Sequence, residues 1–274
     1  MSLGDEFIAY AVTLREELLR IDDMRGLLSE INMGATAIGT RVNAPYGYAD
    51  VVTKHLRDIT GIDLKVAHNL IEATVDTGAY VMLSGVLKRT AVKVSKICND
   101  LRLLSSGPRC GFNEINLPPM QPGSSIMPGK VNPVIPEVVN QTAFYVIGAD
   151  VTITMAAEAG QLQLNVMEPV IAYSLFTSIT FMERALKTLC EKCVVGITAN
   201  PEVTHAHVMN SIGIVTQLNP VIGYEKSASI AKEALQTGKT IHQIVVLEQK
   251  IMNQEKWDEI YSFENLINPK FINS

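Results

Sequence analysis

The sequence predicts an all-α protein: a bundle of long helices followed by a small helical C-terminal domain. Apolar residues recur at helical steps over long stretches, and no stretch sustains the period-two alternation of a half-buried strand. Glycine and proline cluster at a few points along the 274 residues and divide them into segments of helical length.

Each element follows from its residues. From Asp5 to Ile31, Phe7, Ala11, Leu14, Leu18, Ile21 and Leu28 fall at steps of four and three with a gap at Arg25, predicting a helix whose seam faces a bundle. Met33–Gly47 is a loop rich in Gly, Ala and Thr. A short helix is expected over Tyr48–Thr60, stopped by Gly61. Ala67–Leu104 reads as one long helix, with Glu72 and Asp76 early and Lys88, Arg89, Lys93, Lys96 and Arg102 late, an order that complements the helix dipole. At ~1.5 Å per residue it would run roughly 55 Å and need partners along its length. Ser105–Gly129 is an irregular connection, and loops of that length inside a compact domain tend to be functional or disordered. Pro133–Ala159 carries Val138, Val139, Phe144, Val146, Ile147, Val151, Ile153 and Met155 around all its sides, and is expected to be buried among other helices. A further helix is expected over Leu164–Val195 with Pro169 in its first turns. Beyond the break at Gly196–Pro201, shorter helices are expected around Val203–Asn210, Tyr224–Thr237, Thr240–Leu247 and Gln254–Ser262. The division is a central bundle over 1–200 and a small C-terminal domain over 201–274.

Composition narrows the function. With 47% hydrophobic and 19% charged residues the chain can build a sizeable core. A mean hydropathy of +0.17 suggests extra surface buried between subunits. A net charge of -5 gives no reason to expect nucleic acid or an anionic membrane as partner. The apolar run near Thr142–Ala157 is interrupted by Asp150 and is short for a membrane span. Met1-Ser2-Leu3 begins no secretory signal, and the abrupt start reads as that of a piece of a longer protein. Four cysteines, Cys98, Cys110, Cys190 and Cys193, make no disulfide framework, so a reducing, cytoplasmic compartment is expected. Cys190 and Cys193 form a CxxC pair inside an apolar helical pattern, which favours packing over metal or redox use.

The stretch Gly123–Gln141, GSSIMPGKVNPVIPEVVNQ, holds the chemistry. Two serines, a lysine and an asparagine share one glycine-flanked loop that feeds a helix beginning near Pro133, where outward N–H groups favour anions. A serine hydroxyl becomes a base or nucleophile only when its anion is stabilised. Lys130 and the helix terminus make Ser124 or Ser125 a candidate oxyanion, and Lys130 with Asn132 suits a carboxylate. The residues alone leave a second reading open, a hinge whose Ser and Asn only cap the helix. His55, His68, His205, His207 and His242 show no spacing of a metal site or catalytic base and read as surface or core residues.

GSSIMPGKVNP resembles the signature loop of the fumarase/aspartase superfamily. MGATAIGT, KICNDLRLLSSGPRCG, NEINLP, VIPEVVNQ and MAAEAGQLQLNVMEPVI extend the likeness over essentially the whole chain from about Gly4, and the wording around the loop is closer to aspartases than to fumarases. The resemblance implies homotetramers with a core of long helices and active sites built from three subunits. It implies removal of a proton from the carbon next to a carboxylate, through an aci-carboxylate dianion, before an amine or hydroxyl leaves. Carried over by position, Ser124 would be the base. Ser125 and the backbone N–H groups of Ile126 and Met127 would hold the dianion, and Lys130 and Asn132 would bind carboxylate oxygens. Glu137 would pair with a histidine. The expected reaction converts L-aspartate to fumarate and ammonia, with a small dicarboxylate as the partner molecule. A fumarase-like hydration and a non-catalytic helical oligomerisation module are the alternatives. No redox cofactor is implied. A divalent metal can activate such lyases, and no ligand cluster here marks a tightly bound one. A serine/threonine-rich substrate segment and a GRTH-type segment that supplies the histidine, both N-terminal in the superfamily, do not occur in this sequence. The expectation is therefore a C-terminal part that is inactive, or nearly so, by itself.

Overall fold

The computed structural model describes residues 1–122, 127 and 129–268. The elements in chain order are α1 (Leu3–Leu27), β1 (Glu30–Ile31), α2 (Tyr48–Thr60), β2 (Lys65–Val66), α3 (Gly78–Leu104), β3 (Ile115–Asn116), α4 (Val134–Glu158), α5 (Glu168–Lys192), β4 (Thr198–Ala199), α6 (Pro201–Asn210), α7 (Asn219–Ile222), α8 (Tyr224–Thr237), α9 (Gln254–Ile260) and α10 (Phe263–Ile267). The strands are two-residue pairings, β1 with β2 parallel and β3 with β4 antiparallel, so the class is all-α. By contact the chain divides into two compact units: Tyr10–Gly111 with Leu117–Ile197, and Met1–Ala9 with Phe112–Asn116 and the residues from Thr198 onward.

The first unit is a bundle in which α4 packs along both α3 and α5. Its core seam recurs at steps of three and four: Leu87, Ala91, Val94, Cys98 and Leu101 on α3; Val139, Ala143, Val146, Ile153 and Ala156 on α4; Ile171, Leu175, Met182, Ala185 and Leu189 on α5. Most polar groups between the helices are paired. Asp150, buried on α4, accepts from Ser84 Oγ at 2.7 Å and from Lys88 Nζ at 2.5 Å, both on α3. Asn140 donates to Ser95 O at 3.0 Å, and its Oδ1 accepts from Arg102 at 3.2 Å. On α1, Glu17 is 2% exposed and faces three α3 side chains, Lys93 Nζ at 2.5 Å, Arg89 NH2 at 3.0 Å and Thr90 Oγ1 at 3.2 Å.

Three expectations for this unit are corrected. On α1 the buried residues are Tyr10, Glu17 and Met24, seven apart, whereas Leu18 and Ile21 of the expected seam are exposed. Periodicity counts apolar residues, but the α3 partners select the face: Tyr10 Oη donates to Asp100 at 2.8 Å, one turn beyond the Lys96 that also reaches Asp100. The helix expected over Ala67–Leu104 begins only at Gly78, so Glu72 and Asp76 lie outside it and α3 is about 40 Å long. Short polar side chains divert the backbone upstream. Asn69 Oδ1 accepts from the N–H groups of Ile71 and Glu72, Thr74 Oγ1 donates to Leu70 O, and Asp76 Oδ2 accepts from Gly78 N. Finally, α4 is buried on one flank only, with Val138, Phe144, Val151 and Met155 exposed on the single chain. The short helix ends at Gly61 as expected, at φ +68°, its N–H bonded to Arg57 O. Pro169 occupies the first turn of α5.

The second unit buries Leu218, Ile230, Ile241, Ile244, Val245, Trp257 and Ile260 at its centre. Tyr261 Oη donates to Ile214 O at 2.8 Å, so its hydroxyl is paired inside that core. Residues Gln243–Glu248 form a π-helical turn where an ordinary helix was expected.

The CxxC pair is split between environments, Cys190 exposed and Cys193 buried, and all four thiols are free. Burial pushes the Cys98 thiol up to about 12, helped by neighbouring Cys193 and opposed by Arg102, and pushes Cys193 up to about 11. A thiol-exchange reagent at neutral pH should therefore titrate Cys110 and Cys190 quickly and the other two only after unfolding. Once pH passes the ordinary thiol value of 9.0, the unfolded chain loses protons that the folded chain keeps, so stability should fall as pH rises towards 12, read by chemical denaturation at stepped pH. Glu17→Ala removes the carboxylate that gathers Lys93, Arg89 and Thr90 and leaves a void; urea unfolding should show a loss of about 2–4 kcal/mol. Ser178 has a buried hydroxyl with no hydrogen-bond partner among the described residues, so Ser178→Ala should cost nothing and gain up to about 1 kcal/mol.

Candidate active site

The candidate loop leaves the bundle at Leu117, which is buried, and Pro118, which packs so closely beneath Gly196 that a Cβ there would sit 2.4 Å from the proline ring. It rejoins the bundle at Asn132–Pro136. Both ends, with Lys192 and Cys193, meet at one shallow apolar crease with no room for a water molecule, so the two necks of the loop lie side by side. Ser124, Ser125 and Ile126 lie outside the described residues.

Of the remaining candidates, Met127 is exposed, and its carbonyl accepts from Lys130 N at 3.3 Å across Gly129, which has φ +83°. That left-handed residue turns the chain back before the helix, a conformation glycine adopts without strain. Lys130 is exposed, and its ammonium has no partner among the described residues. Asn132 is half-buried; its carbonyl accepts from Val134 N at 2.9 Å. The N-cap of α4 is Pro133, and no side chain among the described residues caps the helix. The capping reading therefore fails for Asn132, whose amide is left available.

Pro136 has no N–H and Val134 N is already bonded, so Ile135 N–H is the donor of the first turn without a partner among the described residues, beside the positive end of the helix dipole. Glu137 sits in that turn, half-buried, its carboxylate without a hydrogen bond or ion pair among the described residues. One turn later Asn140, held to Ser95 and Arg102, fixes the helix against α3. The arrangement is a cation and an amide on a short turn, a carboxylate on a rigid helix, and apolar walls behind them.

The histidines divide differently. His55, His68 and His205 are exposed. His242 Nε2 lies 2.8 Å from Gln254 Oε1, its ring against Trp257. His207 Nδ1 lies 2.9 Å from Glu114 Oε1, with the Phe112 ring edge-on to the imidazole. This pair was missed in the sequence, where the two residues are 93 apart; NEINLP drew notice as a string, with no role for its glutamate. Among the described residues no three of His, Cys, Asp and Glu gather to hold a metal ion, and no helix is long and apolar enough to cross a membrane.

Comparison with known proteins identifies the family. A family model described as Lyase matches residues 1–148, and one described as Fumarase C C-terminus matches residues 214–268. The aspartate ammonia-lyase of Helicobacter pylori is 59% identical over 269 residues, covering 98% of this chain and 57% of the relative. That of Corynebacterium glutamicum is 59% identical over 271 residues, covering 99% and 51%. That of Escherichia coli is 56% identical over 271 residues, covering 99% and 56%. Among solved structures, a fumarate lyase:delta crystallin from Brucella melitensis bound to cobalt superposes with a TM-score of 0.90 at 52% identity, over 94% of this chain and 56% of that one. A class II fumarase from Schistosoma mansoni superposes with a TM-score of 0.90 at 33% identity, over 98% and 59%. The chain thus spans little more than half the length of these relatives. Long helices in this order and a separate helical C-terminal unit, with sequence identity across nearly every residue, place the chain in the lyase family of the fumarase/aspartase superfamily.

Proposed function

We propose that this chain carries the serine-loop portion of an aspartate ammonia-lyase. The observation that carries the reading is identity of 56–59% to aspartate ammonia-lyases over 98–99% of the chain, beside an α4 terminus, Lys130, Asn132 and Glu137 that have no side-chain partner among the described residues. Ser124 removes the Cβ proton of L-aspartate. The electron pair moves into the adjacent carboxylate, which becomes a dianion. It then returns to form the C=C bond as the C–N bond breaks, giving fumarate and ammonia without change of oxidation state. Carbon acids of this kind are very weak, so fixed donors at the developing charge supply much of the rate. Ser125, the N–H groups of Ile126 and Met127, Lys130 and Asn132 are those donors. Glu137 orients a histidine supplied from outside this chain.

The exposed large apolar side chains of α4 and α5, Phe144, Val151, Met155, Tyr173 and Phe176, suit burial in a homotetramer. Four unpaired thiols suit a cytoplasmic setting.

Fumarate release from L-aspartate and from L-malate, offered separately, tests the reading. The measurement is made on this chain and on a form extended upstream through a GRTH-type segment. The extended form should release fumarate and ammonia from aspartate, and the chain alone should release none. In the extended form Ser124→Ala should lower kcat at least a hundredfold, and Lys130→Ala should raise KM about tenfold or more. Fumarate from malate alone would replace the proposal with the hydratase alternative, which the fumarase-like C-terminal match keeps in view.

A further inference from the structure

Three residues of α3 converge on one side chain of α4. Ser95, Asn99 and Arg102 lie four and three residues apart, on one face of α3. Asn140 Nδ2 donates to Ser95 Oγ at 2.8 Å, to Ser95 O at 3.0 Å and to Asn99 Oδ1 at 3.1 Å. Asn140 Oδ1 accepts from Arg102 Nη1 at 3.2 Å, and the same nitrogen donates to Asn99 Oδ1 at 3.5 Å. Both ends of this buried amide are engaged. It therefore has one orientation, because half a turn would set its NH2 against the guanidinium. The apolar seam beside it is less exacting, since Val139 and Ala143 would pack nearly as well after a small rotation of the helix.

Where this network sits matters more than its strength. The other polar lock between the two helices, Asp150 with Ser84 and Lys88, lies ten residues further along α4, about 15 Å away. Asn140 follows Glu137 by three residues on one unbroken helix, so the two are neighbours on its surface. The first turn has little of its own to hold it. No side chain among the described residues caps it, Pro136 brings no N–H, and its first bond of helical type is Glu137 N to Pro133 O at 3.1 Å. Pro136, Val139, Asn140 and Ala143 form its buried stripe, and half-buried Glu137 stands at the edge of that stripe. A rotation of α4 by about 20° would carry a side chain at its ~5 Å radius by roughly 2 Å. A misplacement of about 1 Å can cost a reaction on the order of a hundredfold.

We propose that Asn140 and Arg102 are positioning residues that fix the rotation of the first turn of α4 and with it the direction of Glu137. The inference deepens the aspartase reading, from which Glu137 takes its histidine. In this role neither residue touches substrate, so the effect falls on kcat and spares KM.

Two measurements test it. Hydrogen exchange on this chain, followed by mass spectrometry, needs no substrate. Asn140→Ala and Arg102→Met should each speed exchange over residues 134–139 about fivefold to tenfold and leave 151–158 unchanged. Arg102→Lys, which keeps a donor for Asn140 Oδ1, should stay within about twofold of the unsubstituted chain. Lys88→Met, which loosens the far lock, should leave 134–139 unchanged. Steady-state kinetics on the upstream-extended form then reads the reaction, on L-aspartate or on L-malate, whichever it accepts. There Asn140→Ala and Arg102→Met should lower kcat about tenfold to a hundredfold with KM within about twofold, Arg102→Lys should recover most of the loss, and Lys88→Met should keep kcat. Unchanged exchange over 134–139, or loosening spread equally to 151–158, would overturn the proposal without reference to any substrate. Loosened exchange with kcat intact, or an equal loss of kcat from Lys88→Met, would overturn it as well. An unsubstituted extended form silent on both substrates would defeat the aspartase reading instead, and the exchange pattern would still decide the positioning.

Discussion

Everything in the bundle hangs on what α3 presents to its two neighbours. It offers cations and hydroxyls at fixed heights, and each neighbour brings a buried carboxylate to meet them: Glu17 from α1 and Asp150 from α4. A carboxylate moved out of water is tolerated only where its partners are met, so such groups contribute little net stability yet penalise every other register. The apolar seams by themselves are built largely of Ala, Val, Leu and Ile at repeating steps, and would tolerate a slip of one turn. The charges forbid it. Because α4 is locked to α3 by Asp150 and Asn140, its first turn, with Glu137 and the Ile135 N–H, is held at one height relative to the loop necks.

The two necks of the loop are rigid. Pro118 and Pro133 stand at its necks, and Gly129 reverses the chain just ahead of α4. The prolines limit what the backbone can do at the ends, while Gly129 permits the one left-handed step. Lys130 and Asn132 are thereby presented with their polar ends unspent. Among the described residues, the half-buried Asn132 and Glu137 and the exposed Lys130 have no side-chain partner.

Much of this was legible in the sequence where the signal is local. Gly61 ends α2 because a left-handed cap needs glycine, and Pro169 opens α5 because the first turn needs no N–H. The serine-loop string marked Lys130, Asn132 and Glu137 through likeness to a family; residue types alone left a capping role open until Pro133 proved to be the uncapped N-cap of α4. What sequence hid is non-local or competitive. The Ala67–Leu104 pattern is helical in its apolar residues, yet Asn69 and Asp76 offer the backbone nearer partners, and the helix waits until Gly78. The face of α1 is chosen by Asp100 and Lys93, seventy and more residues away, which no count of Leu and Ile on α1 can reveal. His207 and Glu114 meet for the same kind of reason, through the pairing of β3 with β4.

The lone tryptophan of the chain, Trp257, is 2% exposed in the core of the second unit, its ring 4.0 Å from that of Tyr261 and 5.0 Å from that of His242. The intrinsic emission of the protein is thus the voice of one unit. A denaturation followed by tryptophan fluorescence records the loss of the C-terminal helices and is blind to α3, α4 and α5, whose melting shows instead in helical circular dichroism. Agreement between the two signals would mean that the units unfold together, and a gap between them would measure how far each stands alone.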